Sequence, residues 1–91
     1  AREALRIGMV NRVVPHEKLA EETRKFAKDI AGNAPIPIAF IKRGLQSFGR
    51  MDLAQTLDFE KMAIDVCWNS EDREEGFKSF LEKRHPVFKG R

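Results

Sequence analysis

The sequence predicts an all-α fold, a small bundle of three to four helices behind a short extended N-terminal leader. Three observations carry this. Apolar residues recur every three or four positions along most of the chain, the period of helices with one face toward a core. The stripes are broken by residues that start or stop helices: Gly32-Asn33, Gly49, Asp52 and Ser70. Only one stretch, Met9 to Val14, is β-branched enough to run extended, and a lone strand has no neighbour to satisfy its backbone.

Ala1 to Ile7 holds helix formers and ends at Gly8, a helix C-terminus. After the extended run, Pro15 opens a helix whose stripe is Leu19, Thr23, Phe26, Ala27, Ile30 and Ala31. Gly32-Asn33 stops it. Pro35 and Pro37 lie in the first turn of the next helix, where the backbone N–H groups have no partner in any case. Its stripe is Ile38, Ile41, Leu45 and Phe48. Gly44 interrupts it at a cost of roughly 1 kcal/mol against Ala, a cost that close packing by another element explains. Asp52 caps a third long helix running to Trp68. Leu53, Leu57, Glu60, Ile64 and Cys67 share a face that Phe59, Met62, Ala63 and Val66 widen, so two sides of this helix are expected to be contacted. Ser70 caps the last helix, with Phe77, Phe80, Leu81 and Arg84 on one face and His85-Pro86 as its end.

Ninety-one residues make one domain, able to bury roughly 60–65% of its unfolded surface. With 42% hydrophobic and 34% charged residues, the chain is too apolar for disorder and too charged for a membrane protein. No apolar run approaches the ~20 residues that span a bilayer. The chain opens on Ala1-Arg2-Glu3-Ala4 with no initiator Met and is expected to be a fragment. Seventeen Lys+Arg against fourteen Asp+Glu leave a net charge of +3. The signs are interspersed and no helix carries a basic recognition face, so neither nucleic acid nor membrane is an expected partner. One cysteine rules out an internal disulfide and a Cys-based zinc site. It fits a reducing, cytoplasmic setting.

No catalytic constellation and no metal site is expected. His16 and His85 are far apart and flank prolines. Cys67 sits on an apolar helix face and reads as a buried structural thiol. Glu71, Asp72, Glu74 and Glu75 open a helix, where acidic residues complement the macrodipole. Two features lean toward binding. Phe80 and Lys83, three residues apart on one helix, place an aromatic beside an ammonium, which suits a ring joined to phosphate; the alternative is Phe80 in the core and Lys83 in solvent. Lys83, Arg84, His85, Lys89 and Arg91 crowd the C-terminus, as an anion-contacting tail or a frayed one.

Three runs carry a resemblance. Ala4-Leu5-Arg6-Ile7-Gly8-Met9-Val10-Asn11-Arg12-Val13-Val14-Pro15 resembles the "EA…G-L-V-N-x-V-V-P" stretch of the enoyl-CoA hydratase/isomerase (crotonase) superfamily. Ile30-Ala31, Ala34-Pro35 and Ile41-Lys42 follow in the same order. Most specific is Ser70 to Arg91, which is similar to the family's "D-x-x-E-G-x-x-A-F-x-E-K-R-x-P-x-F" ending; it departs at Ser79, where the family often has Ala.

The resemblance implies the final third of a longer enzyme. Residues 1–14 would be the leader joining a missing core, and 15–91 the C-terminal helical domain. The parent would add water to 2-enoyl-CoA thioesters in fatty-acid or related acyl-CoA metabolism, a lyase reaction. The oxyanion hole and the acid–base glutamates would lie in the core, so the catalytic residues in this chain are none and the fragment alone is expected to be inactive. The layer would cover the acyl-CoA pocket and take part in trimer or hexamer contacts. Phe80 and Lys83, with Lys89 more weakly, would meet the coenzyme A nucleotide, bound mainly to a neighbouring subunit; Ile64 would line the substrate pocket. No covalently bound cofactor is implied, coenzyme A entering as thioester substrate. The alternatives are an isomerase or acyl-CoA hydrolase parent, a fusion with a dehydrogenase domain, or a non-catalytic helical oligomerisation module. On either leading reading the isolated chain exposes apolar surface and is expected to self-associate.

Overall fold

Five α-helices run through the described residues, 1–47 and 49–91, of the computed structural model, and no strand is among them. They are α1 (Arg2–Arg6), α2 (Leu19–Ala31), α3 (Pro35–Gln46), α4 (Leu53–Trp68) and α5 (Glu71–Leu81). Phe48, expected to close the stripe of α3, lies outside the described residues. The chain divides into two compact units, Ala1–Ile30 and Ala31–Arg91.

In the first unit, α1 ends at Gly8 as its sequence requires. The Gly8 N–H donates to the Leu5 carbonyl at 3.1 Å and the Met9 N–H to that of Ala4 at 2.8 Å. These are the two bonds of a Schellman turn, and Gly8 takes its left-handed position at φ 74°. The run to Val14 forms no strand; its Arg12 guanidinium lies 5.2 Å from the centre of the Phe26 ring on α2. A short 3₁₀ turn, His16–Lys18, delays α2 to Leu19.

In the second unit, Pro35 opens α3 in its first turn, as expected. Phe40 of α3 and Phe59 of α4 meet edge to face, their centres 6.0 Å apart. Gly44 is the reason they can. A Cβ there would lie 3.2 Å from the Phe59 ring, closer than normal contact allows, so its propensity cost is exchanged for a close helix seam. Asp52 caps α4 through a reciprocal box, accepting from the Gln55 N–H at 2.8 Å while its own N–H donates to Gln55 Oε1 at 3.1 Å. Ser70 joins α4 to α5: its hydroxyl donates to the Cys67 carbonyl at 2.7 Å and accepts from the Arg73 N–H at 3.2 Å.

The helices of this unit meet in sequence, α3 on α4 and α4 on α5. The wide apolar face of α4 is contacted from both sides, as its composition predicts. The last helix differs from expectation. It ends at Leu81 rather than at His85-Pro86, because the chain turns at Lys83 before proline can act.

The expected thin core is thinner still. No described apolar residue is fully buried; the buried residues are Ser70, Asp72 and Ser79. Twenty large apolar side chains among the described residues are exposed. The chain exposes 8124 Å², where two separate compact bodies of these sizes would together expose roughly 6,500 Å². The excess is open helix surface, not an effect of the division into units.

With so little core, caps carry an unusual share of the order. Asp52→Ala removes the side-chain half of its box, the bond from the Gln55 N–H, and should lower stability by about 1 kcal/mol. Thermal unfolding followed by circular dichroism reads this as a lower midpoint; an unchanged midpoint contradicts it.

Candidate functional site

The open faces of α3, α4 and α5 form a groove of about 470 Å³, lined by Phe40, Ile41, Ile64, Cys67, Trp68 and Phe88 among others. A second hollow of about 550 Å³ continues it along the α3–α4 seam. Glu60, Phe40, Ile41 and Ala63 line both. The α4 periodicity thus puts Glu60, Ile64 and Cys67 on one wall. Ile64 is 58% exposed and borders the groove. Cys67, expected to be buried, is half-buried on the same wall, because no element covers it. At the rim, the Arg73 guanidinium stacks 5.0 Å from the centre of Trp68.

The acidic start of α5 does more than complement a helix dipole. Asp72 is 3% exposed. Its carboxylate accepts from the backbone N–H groups of Lys89 at 2.6 Å and Gly90 at 2.7 Å. One turn on, Glu75 accepts from both terminal nitrogens of Arg84, at 2.5 and 2.8 Å, and from the Val87 N–H at 2.8 Å. Charge-assisted bonds of this kind are the strong ones. They fold residues 84–91 back along α5. Arg91 adds a 3.0 Å ion pair to Glu71. The C-terminus is therefore tied down rather than frayed, and Arg84 and Arg91 are engaged by carboxylates within the chain. The sequence held a signal for this, since Asp72 and Glu75 are three residues apart on one helix face.

Phe80 and Lys83 emerge differently from their sequence reading. The expected i,i+3 neighbourhood on a continuous helix does not form, because α5 ends at Leu81. Phe80 is not in a core; it is 81% exposed on the last turn. Lys83 occupies the left-handed position of a second Schellman turn, at φ 53°. Its N–H donates to the Phe80 carbonyl at 3.2 Å and the Arg84 N–H to that of Ser79 at 3.0 Å. The same turn at α1 uses glycine. An L side chain there costs roughly 1–2 kcal/mol. Lys89 lines a polar hollow with Glu71, Asp72, Glu74, Glu75 and Lys78, where carboxylates outnumber ammonium groups and an incoming phosphate meets repulsion. Lys83 does not line that hollow.

The family model described as Enoyl-CoA hydratase/isomerase matches residues 1–91. A short-chain-enoyl-CoA hydratase of Clostridium acetobutylicum is 36% identical over 84 residues, covering 92% of this chain and 32% of that protein. A methylmalonyl-CoA decarboxylase of Escherichia coli is 38% identical over 92 residues, covering 99% of this chain and 35% of that protein. The crystal structure of an enoyl-CoA hydratase from Bacillus anthracis superimposes with a TM-score of 0.93 at 37% identity, covering the whole of this chain and 35% of that one. The chain thus spans about a third of the length of each of these three relatives.

Two outcomes follow from the turn and the tail. Lys83→Gly relieves the left-handed backbone and should raise stability by about 1 kcal/mol, read as a higher thermal midpoint. The hydrogen bonds from Arg84, then that from the Val87 N–H, hold the Glu75 carboxyl down at about 2, against an ordinary 4.5. A carboxyl depressed in the folded state contributes its stability in full above 4.5. That contribution disappears as pH falls toward 2. Protection of the Val87 amide from exchange should hold at neutral pH and decline across that window; protection persisting below pH 2 contradicts the assignment.

Proposed function

We propose, from the premise that this chain belongs to the enoyl-CoA hydratase/isomerase family, that it is the C-terminal helical layer of an enzyme that adds water to 2-enoyl-CoA thioesters. The observation that carries this is the exposure of twenty large apolar side chains among the described residues, in a chain of which 92–100% aligns with about a third of the length of these relatives. Such faces suit a layer that closes over another surface. Residues 1–14 are the leader into the core of that enzyme, and 15–91 the covering domain.

In this reading, the layer excludes water from the acyl end of the substrate, with Ile64 on the pocket wall. It also contributes to contacts between subunits. The polarised carbonyl and its enolate-like intermediate need backbone N–H donors, and these lie in the core along with the acid and base. The chain alone therefore binds and covers but does not catalyse. Phe80 and Lys83 meet the nucleotide of coenzyme A, the ring against the aromatic and the phosphate against the ammonium. Lys89 is a lesser phosphate contact, given its acidic surroundings. No covalently held cofactor is needed, since the thioester arrives with its own activating group.

A second reading has support. A relative of equal similarity is named a decarboxylase, so this third of the chain is compatible with more than one thioester reaction. Isomerase and hydrolase parents stay open on the same ground, as does a helical assembly module.

The test uses the full-length protein. Wild type should convert a 2-enoyl-CoA to its 3-hydroxy product, and Lys83→Ala should weaken coenzyme A binding roughly fivefold, the worth of an exposed ion pair of about 1 kcal/mol. Calorimetric titration reads the affinity. Hydration with unchanged affinity makes Lys83 structural; no hydration removes the hydratase reading.

A further inference from the structure

The tail clasp has a consequence for the groove. Phe88 sits just before the Lys89 and Gly90 amides that Asp72 holds, and it lines the groove together with Ile64 and Cys67. Gly76 of α5 lies under that ring, a Cβ there being 3.8 Å from it. Beyond it, Gly90 rests against Pro35 at the start of α3, a Cβ there being 3.5 Å from the proline ring. The tail therefore bridges α5 to α3 beside the apolar groove.

We propose that Asp72 is a positioning residue that fixes Phe88 as the end wall of this groove and so sets the length of acyl chain it admits. This rests on the reading of the groove as the acyl site. Asp72 acts through the backbone of Lys89 and Gly90, which its carboxylate holds. A buried carboxylate with two short backbone bonds is a rigid anchor, because releasing the tail leaves a charge buried without partners. Glu75 holds the same segment from the other side of Phe88, through Val87. An aromatic wall fixed on both sides can discriminate chain length, where a free one would swing aside.

The experiment compares wild type, Asp72→Asn and Phe88→Ala in the full-length protein, using a short and a longer straight-chain 2-enoyl-CoA. Phe88→Ala should move the ratio of kcat/KM values toward the longer substrate by roughly tenfold, the scale of a methylene misfit in an apolar pocket. Asp72→Asn should move it the same way, and exchange of the Lys89 and Gly90 amides should speed up while the Arg73 amide, capped by Ser70, stays protected. Gly90→Ala, strained at φ 74°, loosens the tail without touching Asp72 and should shift the ratio likewise if Asp72→Asn fails to fold. An unchanged ratio in Phe88→Ala overturns the wall. A shift in Phe88→Ala with none in Asp72→Asn or Gly90→Ala, or amides that stay protected in Asp72→Asn, overturns the positioning. Wild type that turns over neither thioester is a separate outcome, which removes the acyl-site reading and this inference with it.

Discussion

Three helices that meet in sequence share two seams and enclose nothing. That constraint governs the second unit. α3 packs on α4 and α4 on α5, so α4 is gripped from two sides yet keeps Leu53, Leu57, Ile64 and Trp68 exposed. A helix apolar over so much of its circumference is stable only when its remaining face is covered. The groove along α4 is the direct result. Its lining is mainly apolar, with Asp72 and Arg73 in one half and the Glu60 carboxylate shared by both. Whatever surface covers it must be mainly apolar and must leave that carboxylate hydrated or paired.

Polar interactions supply the order that burial usually supplies. Among the described residues the buried ones are a serine, an aspartate and another serine, the first two at joints. Ser70 welds α4 to α5, Asp72 anchors the returning tail, and the Ser79 hydroxyl donates to the Gly76 carbonyl at 2.9 Å within α5. Hydrogen bonds are directional where hydrophobic contact is not. A layer fixed in shape by such joints can present its apolar face without collapsing onto it. This connects the clasp to function: the residues that hold the tail also set the end of the groove.

Much of this was legible in the sequence. The order of helices, the caps at Asp52 and Ser70, the prolines opening α3 and the tight approach at Gly44 all follow from local rules, because each depends on residues a few positions apart or on one close seam. The family was legible too, in the motifs at either end. The clasp was missed because it joins Asp72 to residues seventeen and eighteen positions on, and a dipole argument already accounted for the acids. The end of α5 was missed because Lys83 occupies a turn that glycine normally marks. Cys67 was assigned burial by periodicity alone; periodicity names the face that seeks cover and not the element that provides it.

If this chain is a covering layer as proposed, its apolar faces need a surface beyond its own two units. The most direct measurement is the thermal unfolding of the 91-residue chain alone, followed by circular dichroism across a wide dilution series. A covering layer should show a broad, weakly cooperative loss of helix in dilute solution that sharpens and moves upward as concentration brings apolar faces together. A sharp transition independent of concentration, with the enthalpy of roughly 60 kcal/mol expected of a self-sufficient domain this size, would contradict it.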